Sequence, residues 1–193
     1  MKTDKTYTVP YRRKRSGRTD YKKRLRLLLS KKPRMVVRKS LTSMIAQIVK
    51  YGSTGDQIVV SVGSSDLKKT GWPYSCKNTP AAYLIGLLLA KKCKENGIKE
   101  AILDLGLYKS VPGSKIYAVL KGAIDNGLQV PFSDTILPKE DRVKGIHIQK
   151  YSDDIKENQD ERNKRFGGYI KNNADPSNIS SVFEQIKSKI TGA

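Results

Sequence analysis

The chain has 193 residues and a formal net charge of +20 at pH 7, from 38 lysine and arginine residues against 18 acidic ones. This length suits one domain with extensions. The charge exceeds what solubility requires, so it predicts a polyanionic partner and favours nucleic acid over an anionic membrane surface. The longest apolar run, Ala81 to Ala90, has about half of the roughly 20 residues that a membrane-spanning helix needs.

Few side chains in the chain suit metal or redox chemistry. Cys76 and Cys93 lie far apart in sequence, and His147 is the sole histidine. This set excludes a zinc site of cysteine and histidine alone and does not indicate a disulfide framework. No signal-peptide core and no phosphate-binding loop motif occur. We therefore expect a cytosolic protein without a cofactor, a bound metal or a small-molecule substrate.

The stretch from Val9 to Arg38 concentrates positive charge. It holds thirteen lysine and arginine residues against one carboxylate, Asp20. Such a block repels itself unless a polyanion neutralises it. Tyr11 and Tyr21 lie between the cations, and an aromatic ring stacks on an unpaired base while guanidinium groups hold phosphate. The pattern predicts an RNA-binding arm; a solvated tail or a localisation signal is the alternative.

A short helix and three strands are predicted next. In Tyr21 to Leu29, three leucines share one face, so we expect the helix to dock through Leu25, Leu28 and Leu29 with its cations outward. Three runs rich in Val and Ile follow with brief links, which favours an antiparallel meander. These runs are Arg34 to Ser40, Met44 to Tyr51 and Gln57 to Val62.

The middle of the chain alternates helices and strands. Gly63 to Asn78 is predicted as a long polar loop, in which Trp72 and Tyr74 are base platforms or loop anchors. Two helices that each end at Asn-Gly are each followed by a strand, which implies right-handed crossovers and parallel pairing. These elements are the helix Pro80 to Glu95, the strand Glu100 to Leu105, the helix opening at Ser114 and the strand Leu128 to Phe132.

The order βββαβαβ predicts an α/β fold with a mixed sheet. Three antiparallel strands are followed by two parallel βα units, which is a ribonuclease-H-like layout. After it, Lys139 to Gly145 is predicted as a loop, Lys156 to Arg165 as a solvated helix, and Ser180 to Ile190 as an amphipathic helix whose partner is the domain or a neighbour. We expect a basic arm at 1–33, an α/β core at 34–150 and a charged C-terminal extension at 151–193.

A metal-dependent nuclease is the catalytic alternative for this layout, because that chemistry needs several carboxylates converging from strand ends. Asp104 lies near a strand end, but the interiors of the first three predicted strands carry no acidic residue. Asp104 is better interpreted as an anchor for the following loop through backbone amides. We therefore expect no enzymatic activity.

The loop Leu107 to Lys115 is a second candidate RNA surface. Tyr108 is placed to stack, Lys109 and Lys115 are within reach of phosphate, and Gly113 with Ser114 is expected to offer free backbone amides at a helix N-terminus. An ordinary link between a strand and a helix is the alternative.

Four segments together resemble the archaeal-type large-subunit ribosomal protein of the L-eighteen family. They are VPYRRKRSGRTDYKKRLRLLLSKKPRMVVRKS from Val9, IAQIV from Ile45, SSDLKKTGW from Ser64 and DLGLYKSVPGSKIYAVLKGAIDNGLQVP from Asp104. The resemblance implies a non-enzymatic protein that binds 5S rRNA and helps attach it to 23S rRNA in the central protuberance, beside neighbouring ribosomal proteins.

The resemblance and the charge pattern together give the expected RNA-binding residues. In the arm they are Tyr11, Arg12, Arg13, Lys14, Arg15, Arg18, Tyr21, Lys22 and Arg24; in the first strand Arg34, Arg38, Lys39 and Ser40; and in the loop Tyr108, Lys109, Gly113 and Lys115. An RNA-binding assembly or regulatory factor is the alternative, which would not stay with salt-washed ribosomes.

Overall fold

The computed structural model describes residues 6–192. The predicted arm at 1–33 includes residues 1–5, and the predicted C-terminal extension at 151–193 includes residue 193; these residues lie outside the described range. The described strands are β1 (Arg34–Lys39), β2 (Met44–Gly52), β3 (Gly55–Gly63) and β4 (Ile102–Asp104).

Along the chain, helices precede β1, lie between β3 and β4, and follow β4. They are α1 (Arg12–Arg15), α2 (Tyr21–Leu29), α3 (Ser64–Lys69), α4 (Thr79–Glu95), α5 (Lys115–Asp125), α6 (Glu140–Lys144), α7 (Ile146–Asp154), α8 (Gln159–Ile170) and α9 (Ile179–Thr191). Two short 3-10 turns lie at Asp134–Ile136 and Pro176–Asn178.

The sheet is mixed, with strand order β3-β2-β1-β4. β2 pairs antiparallel with both β1 and β3, and β4 pairs parallel with β1. The α/β class with a mixed sheet is confirmed, and the ribonuclease-H-like layout stays a prediction.

The predicted last strand, Leu128 to Phe132, is wrong as a regular strand. One isolated parallel bridge joins Gln129 to Glu100, in which the Gln129 amide donates to the Lys99 carbonyl at 3.0 Å. Pro131 has no N–H group to continue the ladder. Leu128 and Val130 are nevertheless buried, so the apolar pattern that suggested a strand reflects burial in the core.

Alternation along the strands gives the sheet two different faces. Met35 and Val37 of β1 and Ala46 and Ile48 of β2 are buried in the hydrophobic core with α4 and α5. Because successive strand residues point to opposite faces, the residues between them line the other face. On that face Arg34 is opposite Val49, and Val36 is opposite both Gln47 and Asp104.

Helix α4 forms the centre of the core, as its all-round apolar sequence predicts. Asn78 caps it by accepting a hydrogen bond from the Ala81 amide at 2.9 Å. Two glycines allow α4 and α5 to cross in backbone contact: a Cβ atom on Gly86 would lie 2.1 Å from the Val119 carbonyl oxygen, and one on Gly122 would lie 2.1 Å from that of Tyr83.

The C-terminal helix α9 belongs to the core, which decides between the two partners left open by the sequence. Phe183 and Tyr83 of α4 have ring centroids 5.6 Å apart, and Lys91 Nζ donates to the Ile190 carbonyl at 2.9 Å. The solvated helix predicted at Lys156 to Arg165 is observed as α8, which begins at Gln159 after the capping residue Asn158. Helix α7 was not predicted.

Two segments predicted as loops contain helices. In the first, Gly63 to Asn78, the side chain of Asp66 accepts a hydrogen bond from the Gly63 amide at 2.9 Å and caps α3. In the same segment Trp72 and Tyr74 are only 3% and 4% exposed. The structure therefore identifies them as loop anchors and not as base platforms.

The second such segment is Lys139 to Gly145, which contains α6. Val143 is buried there, and Gly145 ends the helix in the left-handed conformation with φ of 84°. One buried residue in a five-residue helix leaves no periodic pattern in the sequence, so the segment resembled a charged loop.

The crossing of α4 and α5 predicts a strong position dependence for alanine substitutions. We expect Gly86→Ala to lower the free energy of unfolding by about 3 kcal/mol, because the new methyl group overlaps backbone atoms. Gly168→Ala in α8 is the control: its Cβ atom would meet no atom within 4 Å, and alanine favours a helix by up to about 1 kcal/mol. Urea denaturation of both variants measures the difference, and equal stabilities would contradict the close crossing.

Candidate nucleic-acid interface

The basic arm folds back on itself in the described residues. The backbone turns at Gly17, which has φ of 62°, between α1 and α2. The rings of Tyr11 and Tyr21 lie with centroids 5.0 Å apart, and Arg13 Nε donates to Thr19 Oγ1 at 2.9 Å. Asp20 caps α2 by accepting a hydrogen bond from the Lys23 amide. The arm therefore presents its cations from an ordered backbone.

The arm docks through charged groups and not through leucines, so the expected leucine docking is wrong. Leu25 is 60% exposed and Leu29 is 72% exposed. Arg24 instead forms two hydrogen bonds with Asp56 at 2.8 and 2.7 Å, and Lys23 Nζ donates to the Gly106 carbonyl at 3.0 Å. Local periodicity showed that α2 has an apolar stripe, but it did not show whether any surface covers that stripe.

A chain of alternating charges continues from the arm into the sheet. The Arg34 guanidinium is 4% exposed and donates to Asp56 at 2.6 Å and to Asp104 at 2.8 Å. Asp104 also accepts a hydrogen bond from the Gly106 amide at 2.8 Å, which confirms its predicted role as an anchor for the following loop. We name Arg24, Arg34, Asp56 and Asp104 the junction cluster.

The junction cluster favours the charged state of Asp56. Hydrogen bonding from Arg24, and then from Arg34, lowers the pKa of Asp56 below its ordinary value of 3.8 against the opposing effect of burial. Asp56 in turn raises the pKa of Arg24. Both arginines are therefore occupied within the protein.

A cavity of about 510 Å³ lies between the arm and the sheet face opposite α4 and α5. Its floor includes Val36, Gln47 and Ile58, and cationic side chains of the arm and of β1 line it. The lining cations include Arg13, Arg18, Lys23 and Arg38. This combination of basic walls and a partly apolar floor suits a phosphate backbone with an adjacent base or sugar.

Most predicted RNA-binding residues of the arm remain available to a partner. In the first strand, Arg38 is available, whereas Arg34 is not. Six of the predicted arm cations form no ion pair among residues 6–192, and these are Arg12, Arg13, Lys14, Arg15, Arg18 and Lys22. Arg38 is exposed on the cavity side. Arg34 faces the junction cluster and not the solvent, so its position is that of a residue that holds the arm in place.

The second predicted RNA surface, the loop Leu107 to Lys115, also forms more hydrogen bonds within the protein than expected. The Gly113 amide donates to the Ile136 carbonyl at 2.9 Å and the Ser114 amide donates to Val111, so the expectation that these two amides are free is wrong. Ser40 bonds to Ser43 within a turn. Lys109 is exposed, whereas Tyr108 donates to the Lys39 carbonyl at 3.0 Å and has Lys39 Nζ above its ring at 5.1 Å.

Sequence reasoning missed three residues of these surfaces. Lys23 and Asp56 belong to contacts between residues far apart in the chain, and no local pattern marks them. Lys77 precedes the helix cap Asn78 and lines a second cavity with Lys39 and Lys115. Its only sequence signal was a cation beside a helix start.

The described residues lack two other kinds of functional feature. Over 6–192, no group of three or more histidine, cysteine or acidic side chains is arranged to hold a metal ion. Among the same residues, no helix has the length and apolar character to cross a membrane.

An ordered basic arm on an α/β core defines a polyanion-binding protein. Residues 5–99 and 94–133 match the family model described as ribosomal large subunit proteins 60S L5, and 50S L18. The chain therefore belongs to this family of ribosomal proteins, which confirms the resemblance found in its sequence.

Family membership gives the broad function. The protein is a structural, RNA-binding component of the large ribosomal subunit, and it works in translation on cytoplasmic ribosomes. Ribosomal RNA and neighbouring ribosomal proteins are its partners. Because the family is structural and not enzymatic, the nuclease alternative is discarded.

The junction cluster predicts that one carboxylate supports both arginines. We expect Asp56→Asn to lower the free energy of unfolding by roughly 1–2 kcal/mol at pH 7, because Arg24 loses its ionic partner and the buried Arg34 keeps only Asp104. Urea denaturation measures the change. Asp134→Asn, at an exposed residue, is the matched control and is expected to change stability by no more than about 0.5 kcal/mol.

The same pair of variants tests the acid side of the stability profile. Since the folded-state pKa of Asp56 is lowered, its contribution is complete above 3.8 and is lost as the pH falls through the folded-state pKa. We therefore expect the difference between the wild type and Asp56→Asn to shrink below pH 3.8. A difference that stays constant down to pH 2 would exclude an ionised Asp56 as its source.

Proposed function

We propose that this protein binds 5S rRNA and helps attach it to 23S rRNA in the central protuberance. The observation that carries the proposal is the ordered arm, which brings Arg13, Arg18 and Lys23 to a cavity on the open face of the sheet and leaves its other cations exposed. The choice of 5S rRNA rests on the four sequence segments that resemble the archaeal-type L-eighteen proteins, and family membership supports a ribosomal RNA partner.

The arm cations supply phosphate contacts, which set affinity and position more than base identity. Arg12, Lys14, Arg15 and Lys22 are exposed, and Arg38 extends the same positive surface across the cavity. Arg24 and Arg34 play a different part, since their partners are Asp56 and Asp104. They position the arm against the sheet so that the other cations meet the RNA in a fixed arrangement.

The two tyrosines of the arm supply a stacking surface. Tyr11 is 71% exposed and packs one side of its ring near Tyr21. The pair offers an outward aromatic face for an unpaired base. Aromatic stacking combined with a fixed pattern of cations favours a folded RNA with unpaired nucleotides over a uniform duplex.

The division of the chain follows from the same proposal. The arm at 1–33 contacts RNA, the core at 34–150 positions the arm, and the extension at 151–193 completes the protein. The last helix of the extension packs in the core through Phe183, so the extension is not a separately folded unit. We also propose the ribonuclease-H-like layout for the core, supported by the strand order and the parallel pairing of β1 with β4.

Salt-dependent titration tests the proposed RNA. If about eight phosphates are neutralised, the logarithm of affinity for 5S rRNA falls against the logarithm of salt concentration with a slope of about −6 to −7. A duplex RNA of equal length is the control and is expected to bind more weakly at every salt concentration. Equal affinity for the two RNAs would contradict the assignment to 5S rRNA, and a slope near zero would contradict phosphate contacts.

A charge-matched pair of variants tests the arm. Replacing Arg12, Arg13, Lys14, Arg15 and Arg18 by alanine is expected to reduce the magnitude of the slope by about 4, if each cation neutralises one phosphate. The control variant removes five exposed cations of the C-terminal half by alanine substitution, namely Lys150, Lys164, Arg165, Lys171 and Lys189.

Both variants lose the same net charge, so the control corrects for the general electrostatic field. We expect the control to keep nearly the wild-type slope, and both proteins to keep their thermal unfolding midpoints within a few degrees because the changed residues are exposed. Equal losses in the two variants would show that total charge, and not the arm, determines binding.

A further inference from the structure

A second cavity, with a volume of about 440 Å³, lies at the end of β1. It shares no lining residue with the cavity beside the arm. Arg38 and Lys39 are neighbours in β1 and therefore point to opposite faces of the sheet. Consequently Arg38 lines the first cavity and Lys39 lines the second, whose lining is Lys39, Ser40, Leu41, Met44, Lys77 and Lys115.

Three separate elements bring lysines to this cavity. Lys39 is the last residue of β1, Lys77 immediately precedes the capping residue of α4, and Lys115 is the first residue of α5. The lining includes no aspartate or glutamate, and none of the three lysines forms an ion pair in the described part of the chain.

The charges of these lysines oppose one another. Burial, followed by the positive charges of Lys77 and Lys39, lowers the pKa of Lys115. Lys115 also occupies the first turn of α5, where the helix dipole disfavours a cation. Without a bound anion, the mutual repulsion of these lysines therefore raises the free energy of the folded protein. The arginines of the junction cluster, in contrast, each have a carboxylate partner.

Neighbouring contacts hold the group in place. Tyr108 donates to the carbonyl of Lys39 at 3.0 Å, and the Lys39 ammonium lies 5.1 Å from the centre of the Tyr108 ring. This cation–π contact fixes Lys39 without neutralising it. The cavity thus has a positioned cation, two further cations and space for an anion among them.

We propose that Lys39, Lys77 and Lys115 together hold one phosphate group of the bound RNA, on the sheet face opposite the arm's cavity. The proposal rests on the proposed binding of 5S rRNA and adds a contact point that includes Lys77. Ammonium groups act as compact point charges toward phosphate oxygens, and an anion among them removes their mutual repulsion. The RNA then contacts the protein at two places that lie on different faces of the sheet.

The test compares Lys77→Ala, Lys115→Ala and the double variant with the wild type in salt titrations of 5S rRNA. Because one phosphate is shared, we expect the double variant to reduce the magnitude of the slope by about one, and each single variant to reduce it by less. The double variant Lys171→Ala and Lys189→Ala loses two exposed cations elsewhere and is expected to leave the slope unchanged.

Ethylation interference identifies the phosphate directly. For the wild type, we expect ethylation to weaken binding at several 5S rRNA phosphates, because the arm also contacts phosphates, and for the Lys77 and Lys115 double variant we expect the interference at one of these positions to disappear. The thermal unfolding midpoint of the double variant should equal or exceed that of the wild type, since removing the two lysines removes repulsion. A lower midpoint together with an unchanged interference pattern would show a structural role and overturn the site.

Further outcomes separate this site from the proposed function. A wild type that does not prefer 5S rRNA to the duplex overturns both. If the wild type is selective but the double variant has the same slope and interference pattern, the three-lysine site alone is overturned. The same holds if the magnitude of the slope falls by about two, because this indicates two separate phosphates. Free phosphate has the same chemistry, so a parallel arm titrates inorganic phosphate; binding of that ion without any effect of the variants on RNA binding would also overturn the site.

Discussion

The Arg34 guanidinium, buried between Asp56 and Asp104, is the contact on which the arrangement of the arm depends. A buried cation is stable only when it is paired and hydrogen-bonded, so Arg34 requires both carboxylates to stay on the open face of the sheet. Arg24 of α2 donates to both carboxylate oxygens of Asp56, one of which also accepts from Arg34. A charge inside the sheet thereby determines where a helix outside the sheet docks.

This use of carboxylates has a consequence for RNA binding. In a chain with a net charge of +20, acidic residues weaken the general attraction for a polyanion. Asp20, Asp56 and Asp104 nevertheless lie where the arm meets the sheet, as a helix cap and as members of the junction cluster. Under the proposed function, they order the arm before the RNA binds, which reduces the conformational entropy lost on binding. Arg24 and Arg34 pair with two of these carboxylates, and the remaining arm cations are presented from an ordered backbone.

The sequence was sufficient to predict an element where the signal lies within that element. The Asn-Gly ends of α4 and α5 and the Val- and Ile-rich runs of β1, β2 and β3 each depend on residues within one element, and the corresponding elements were found. The docking of α2 was wrong because its cause lies elsewhere in the chain: Arg24 contacts Asp56, 32 residues away, and Lys23 contacts Gly106, 83 residues away. The proximity of Lys77 to Lys39 could not be predicted from the sequence either, because it depends on how three elements fold together.

Pairing distinguishes the cations that stabilise this protein from those that serve its partner. Lysine and arginine residues look alike in a basic sequence, and the chain has 38 of them. In the fold, Arg24 and Arg34 are paired with carboxylates, whereas Lys39, Lys77 and Lys115 face one another around a cavity without an acidic residue. Like charges converge in a folded protein only at a cost in stability, and a bound anion offsets that cost. In the proposed complex, a phosphate of the RNA partner completes this uncompensated group.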